Sequence, residues 1–166
     1  MGRQGQEKRT QRALAAHGSL MRATESLAAL QSDQLRSLGL TMGQFRMLAA
    51  LHHHGPLSLV ALCQELASSH SNASFVVGNL YKRGLVVRKA SEGEHGSTMI
   101  RLTAEGQKLI ARVFPVHATL VRAQMSVLVG REQETLWRLC VKLGRTDAGR
   151  FVREFAKADA DEQEKG

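Results

Sequence analysis

Apolar residues recur along this chain every three to four positions, and glycine, proline and serine interrupt the pattern. Between residues 8 and 37, Leu20, Met21, Leu27, Leu30 and Leu35 keep near-helical spacing, with Gly18 weakening the middle. The stretch "TMGQFRMLAALHHHGP" predicts a sharper helix. Thr41 and Gln44 stand at the spacing of a capping box, Phe45, Leu48, Ala49 and His52 share one stripe, and Gly55-Pro56 stops it. Ser58 is placed to cap a short helix carrying Leu59, Leu62, Cys63 and Leu66 at i, i+3, i+4 and i+7. After a short break, "SNASFVVGNLYKRG" repeats that spacing with Ala73, Val76, Val77 and Leu80, and Gly84 is the expected C-terminal glycine.

The period then drops to two. "LVVRKA" and "STMIRL" read as the strands of a hairpin whose loop contains glycine. Thr103 can cap a long helix reaching Leu128, bent near Pro115 because proline lacks a backbone donor. A last helix from about Glu132 to Phe155 leads into the polar tail "KADADEQEKG". Two short helices joined by a tight turn and followed by a hairpin make a winged helix-turn-helix, mainly α with a small β-hairpin (α+β). The flanking helices are too long and too apolar for such a domain alone, and a two-fold homodimer interface is their simplest use. The expected organisation is an N-terminal dimerisation helix over 1–37, the winged domain over 38–103 and C-terminal dimerisation helices over 104–166.

Composition narrows the function. A chain of 166 residues, 43% hydrophobic and 23% charged, is long enough for a real core. No apolar run approaches the roughly 18 residues that span a bilayer. The start "MGRQGQEKRTQRAL" has no hydrophobic leader, and Cys63 and Cys140 stand far apart. These features lead to the expectation of a cytoplasmic protein with no membrane partner and no disulfide framework. The net charge of +8 favours a polyanionic partner, although the charge is spread out rather than clustered.

The stretch "LGLTMGQFRMLAALHHHGPLSLVALCQELASSHSNASFVVGNLYKRGLVVR", with "IRLTAEGQKLI" after it, resembles the MarR family of bacterial transcription regulators. "VFPVHA" and "EQETLWRLCVKLG" are similar to a branch of that family whose members often sense phenolic or quinone-like compounds. The resemblance implies a winged-helix homodimer that binds a pseudo-palindromic operator on double-stranded DNA, usually as a repressor relieved by a small-molecule effector or by oxidation.

The residues support a DNA-binding reading independently. With Ala73, Val76, Val77 and Leu80 toward the core, the opposite face presents His70, Ser71, Asn72, Ser74, Phe75, Gly78 and Asn79. Asparagine can bond an adenine edge bidentately, an aromatic ring can meet a thymine methyl, and hydroxyls can bond phosphates. Lys82, Arg83, Arg88, Lys89 and Arg101 are candidates for further phosphate contacts. Two stretches depart from the family. Where it commonly places arginines on the recognition helix, this chain has Phe75 and Asn79. Where its hairpin carries Asp-Arg-Arg, this chain has Glu94, His95 and Gly96, leaving His95 as the residue able to enter a narrow minor groove. The missing wing arginine favours a rival reading, a winged-helix protein-interaction module with weak or lost DNA binding. The polar serine and asparagine face opposes it.

In the family the effector lies where the first, second and long helices meet the winged domain. The resemblance therefore makes His17, Met21, Phe45, Leu48, Phe114 and His117 the candidates for an apolar pocket with one or two polar anchors. His52, His53 and His54 point about 100° apart around a helix and cannot converge on one ion. His52 is expected to face inward. No metal, other cofactor or catalytic constellation stands out, so an enzyme is not expected. Cys63 is expected to be a buried small hydrophobe. The family's peroxide sensors use a cysteine in the first helix, and this chain has none there.

Overall fold

The computed structural model describes residues 3–90 and 98–144. The elements are α1 (Arg3–Ser37), α2 (Met42–His54), β1 (Leu57–Ser58), α3 (Leu59–Leu66), α4 (His70–Lys82), β2 (Val86–Ala90), β3 (Thr98–Leu102), α5 (Ala104–Met125) and α6 (Gly130–Gly144). This is the order expected of a winged helix-turn-helix with helical flanks. The chain divides into two compact units, one ending at Gln124 and the other beginning at Met125.

Helix starts in the first unit are made by side-chain caps. Thr41 and Gln44 form a reciprocal capping box, with Gln44 N donating to Thr41 Oγ1 at 3.2 Å and Thr41 N to Gln44 Oε1 at 3.1 Å. Ser58 caps α3 and Ser69 caps α4. Helix α3 ends on Ala67 at φ 47, where Ser68 N reaches back to Cys63 O at 3.0 Å. That is the geometry glycine usually supplies, here adopted by alanine. Gly84, at φ 69, stands at the matching place after α4, where Leu85 N reaches back to Leu80 O at 3.0 Å, while Gly55 ends α2 in a different positive-φ conformation, at φ 77 and ψ -153.

One continuous core joins these elements. Leu35 of α1, Leu40, five residues of α2 (Phe45, Met47, Leu48, Ala50 and Leu51), Leu62, Ala73, Val77, Leu80, Leu85, Val86, Ile100, Ile110 and Val113 are all buried in it. The sheet has the order β1-β3-β2 and is antiparallel throughout. Val86 pairs with Leu102 and Arg88 with Ile100, while Leu57 of β1 takes the other edge of Ile100. The C-terminal half of α1 lies antiparallel on α5: Gln34 bonds Val116 O at 3.2 Å, and Gln124 bonds Gln31 and the carbonyl of Leu27.

Five expectations need correction. Helix α1 starts at Arg3, not residue 8, because its first turns are polar and carry no apolar period to read. Strand β1 is additional; two residues are too few for a periodic signal, and Ser58 both pairs with Met99 and caps α3. His52 is exposed, since the last turn of α2 runs past the core edge, and its Nδ1 meets Gln107 Nε2 at 3.0 Å. Cys63 is half-buried rather than buried. Helix α5 ends at Met125 instead of Leu128, as the chain turns there with Leu128 N on Met125 O. It runs through Pro115 without ending, and that residue lies on the exposed side. The expected extension of the last helix to Phe155 falls outside the described residues beyond Gly144.

In the second unit α6 has no buried residue, and Trp137 is 64% exposed. Leu128, Leu136 and Leu139 line a shallow apolar groove along it with Arg131, Glu132 and Thr135. Among the described residues no single helix is long and apolar enough to cross a membrane.

Candidate nucleic-acid interface

Helix α4 carries the candidate base-reading face. Ala73, Val77 and Leu80 are buried and Val76 is half-buried against the start of α2, where a Cβ on Gly43 would lie 3.5 Å from Val76 Cγ2. That packing turns His70, Ser71, Asn72 and Phe75 fully outward, with Ser74 and Asn79 half-exposed. The N-terminal turn is internally bonded. Ser69 Oγ accepts from Asn72 N at 3.3 Å and lies 3.3 Å from Ser71 Oγ, while Asn72 Nδ2 donates to Ser68 Oγ at 2.8 Å. Asn72 is thereby held at the mouth of the helix, where its amide serves the turn as well as any partner.

The cations expected to meet phosphates do not form one patch. Strand alternation places Lys89 and Arg101 on one face of the hairpin and Arg88 on the other, beside Ile100. Lys82 is exposed in the last turn of α4. Arg83 is tethered, its Nη1 donating to Gln44 Oε1 at 3.1 Å. That oxygen also belongs to the capping box of α2, so the side chain is tied to the helix that supports α4. Only the fold could expose this link, because the two residues are 39 positions apart. His95, expected at the wing tip, lies outside the described residues, as do Glu94 and Gly96.

The candidate effector residues separate into two groups. Phe45, Phe114 and His117 come together: the Phe45 ring centroid is 4.3 Å from that of His117 and 6.4 Å from that of Phe114. Leu48 is wholly buried in the core. His17 and Met21 do not join this cluster within one chain. They stand on the exposed N-terminal part of α1, roughly 25 Å and 20 Å along its axis from Gln34 at 1.5 Å per residue.

Gln34 is the residue that sequence reasoning missed. Its Nε2 donates to Val116 O, so its Oε1 faces His117 Nδ1 at 3.2 Å. Because an amide oxygen can only accept, Nδ1 carries the proton in this arrangement and Nε2 is left as an acceptor. His117 is 8% exposed, and burial holds its imidazole below the ordinary histidine pKa. The cluster is thus an aromatic surface with one oriented, neutral polar anchor.

Among the described residues no group of three or more His, Cys, Asp or Glu side chains could hold a metal ion. The three successive histidines diverge: His52 meets Gln107, His54 Nε2 lies 3.3 Å from Glu65 Oε1, and the ring of His53 stands edge-on to that of His54. Cys140 is exposed on α6.

A model of the MarR family matches residues 38–95, from the end of α1 into the hairpin. The transcriptional regulator MhqR of Bacillus subtilis is 27% identical over 135 residues, which cover 81% of this chain and 93% of that protein. Bordetella bronchiseptica BpsR, whose DNA binding is regulated by 6-hydroxynicotinic acid, has the same fold, with a TM-score of 0.73 at 23% identity over 79% of this chain and 94% of its own. NadR, solved in complex with 4-hydroxyphenylacetate, aligns with a TM-score of 0.65 at 26% identity over 78% of this chain and 92% of its own.

Proposed function

Because the chain belongs to the MarR family, we propose that it is a homodimeric DNA-binding transcriptional regulator, acting as a repressor released by a small aromatic or phenolic ligand. The observation that carries this reading is the outer face of α4. The helix is capped, braced from behind by α2, and displays Ser71, Ser74, Phe75 and Asn79 to whatever lies against it. A helix so held can enter a major groove with its side chains pre-aligned. Lys82, Arg88, Lys89 and Arg101 would neutralise phosphates alongside. His70 and Asn72, at the helix N-terminus, would offer hydrogen-bond donors to the phosphates nearest it.

The dimer reading draws on exposed apolar side chains at both ends of the described chain. Leu14, Leu20, Met21 and Leu30 of α1 and Leu136, Trp137, Leu139 and Leu143 of α6 all face solvent in a single chain. A second copy covering them would hide a large apolar area. Residues 1–37 and 104–166 would then be the assembly elements, and 38–103 the DNA-binding part.

The effector reading draws on Phe45, Phe114, His117 and Gln34. A flat aromatic ligand could stack on the phenylalanines and donate a hydrogen bond from a hydroxyl to Nε2 of His117. A phenolic ligand matches that chemistry, as does the ligand named for NadR.

The test is a gel-shift scan of the DNA upstream of the coding region at stated salt, repeated with simple phenols and hydroxylated aromatic acids. A discrete shift lost on adding one such compound is the expected result. An intact dimer that shifts no duplex would favour the interaction-module reading, which the absence of arginine from α4 and from "SEGEHG" supports.

A further inference from the structure

Phe75 is 69% exposed near the middle of α4, on the side turned away from Ala73, Val77 and Leu80. Its neighbours leave the ring standing clear. Ser71 precedes it by one turn and is small. Gly78 follows by three residues, and a Cβ there would meet nothing within 4 Å. The Asn72 amide is turned back onto Ser68. Helix α4 has no arginine, and its single lysine, Lys82, is in the last turn. The commonest specific base contact, arginine to the O6 and N7 of guanine, is therefore not available from this helix. What stands fully exposed at its centre is an aromatic ring without a hydrogen-bonding group, with Ser74 and Asn79 half-exposed beside it.

We propose that Phe75 is the specificity-determining residue of α4 and reads the 5-methyl group of thymine. This rests on the DNA-binding reading above. The methyl group is the apolar feature of the major-groove floor, and the other edges there are donors and acceptors. A phenyl ring set against guanine O6 or the cytosine amino group would strip water from a polar atom and return no hydrogen bond. Set against a thymine methyl, it removes two apolar surfaces from water together. The ring therefore rewards thymine and penalises a G·C pair at the same place. Gly78 matters in this account because a side chain there would stand between the ring and the groove floor. Asn79, one turn on, can bond an adenine, so the two residues together fit an A·T-containing step.

The experiment begins with the full-length chain selecting duplexes from a random library. Binding is then measured on the selected duplex and on copies with each thymine replaced by deoxyuridine, which lacks only the methyl group. Wild type should lose about fourfold for a methyl contacted by one protomer and about 15-fold for the symmetric pair, from about 0.8 kcal/mol per buried methylene-sized group. Phe75→Ala should bind the thymine duplex more weakly and lose nothing further on the deoxyuridine copy. Phe75 lies outside the core, and a thermal melt of the variant matching wild type will establish that it folds. Equal losses on deoxyuridine in both proteins, or none in either, would overturn the methyl reading while leaving DNA binding intact. Failure to enrich any duplex would overturn the DNA-binding reading itself, and this proposal with it.

Discussion

The α-carbon of Gly106 lies against the carbonyl of Leu85, so close that a Cβ would overlap the oxygen and stand 3.0 Å from the carbonyl carbon. The same carbonyl accepts from Thr103 N at 3.1 Å, while Thr103 Oγ1 donates to Gly84 O at 2.7 Å and accepts from Gly106 N at 3.0 Å. The "RGL" after α4 and the "LTAEG" after the hairpin are thus two halves of one joint. It fixes where α5 leaves the sheet, and hence how the winged part connects to the long helix.

Gly106→Ala should therefore destabilise the protein by about 1–3 kcal/mol, since the Leu85 carbonyl is backbone and cannot swing aside. Guanidinium denaturation of the variant reads this directly. An unchanged midpoint would show that the joint is looser than its geometry implies.

His117 makes stability depend on pH in a definite direction. Its folded pKa is depressed by burial, so the unfolded chain binds the proton more readily. Its contribution is fully present above the unfolded value of about 6.5 and is lost as pH falls through the folded pKa. Replacing His117 by Asn should flatten that part of the stability curve below pH 6.5. Parallel curves for variant and wild type between pH 7.5 and 5 would rule this out.

The exposed apolar residues of α1 and α6 predict a constitutive dimer burying well above roughly 2,000 Å² in total, as obligate interfaces do. Sedimentation should find no folded monomer at micromolar concentration. Trp137→Glu should weaken assembly or abolish it, because it would place a charge within an apolar contact. A stable, folded wild-type monomer would refute the dimer.

Asn79→Ala should cost about 1–3 kcal/mol on the specific site if the amide reads a base. Binding to non-specific DNA should be almost unchanged, since that is governed by phosphate contacts. Equal losses on both DNAs would instead assign Asn79 to the backbone.

The local patterns legible in the chain were those complete within a few residues. The Thr41–Gln44 box, the Ser58 cap, the glycines at 55 and 84 and the apolar side of α4 each depend on neighbours three to seven positions away, and so identified the helix-turn-helix and its outward face directly. Hydrophobic period alone also told strands from helices at the hairpin. The resemblance to a regulator family rested on these same elements.

Pairings between residues far apart in the chain emerge only in the folded molecule. Nothing near Gln34 announces that it will orient His117, 83 positions away, nor near Gln44 that it will hold Arg83. Helical period placed His52 on the stripe of Phe45, but the helix outruns its core and the ring ends in solvent beside Gln107. Likewise, the period could mark Leu20 and Met21 as one side of a helix, yet only packing shows that the chain itself covers Leu35 and leaves those two bare. Periodicity reports which side of an element is apolar. Whether that side meets the rest of the chain, a ligand or another copy depends on where the neighbouring elements end in space.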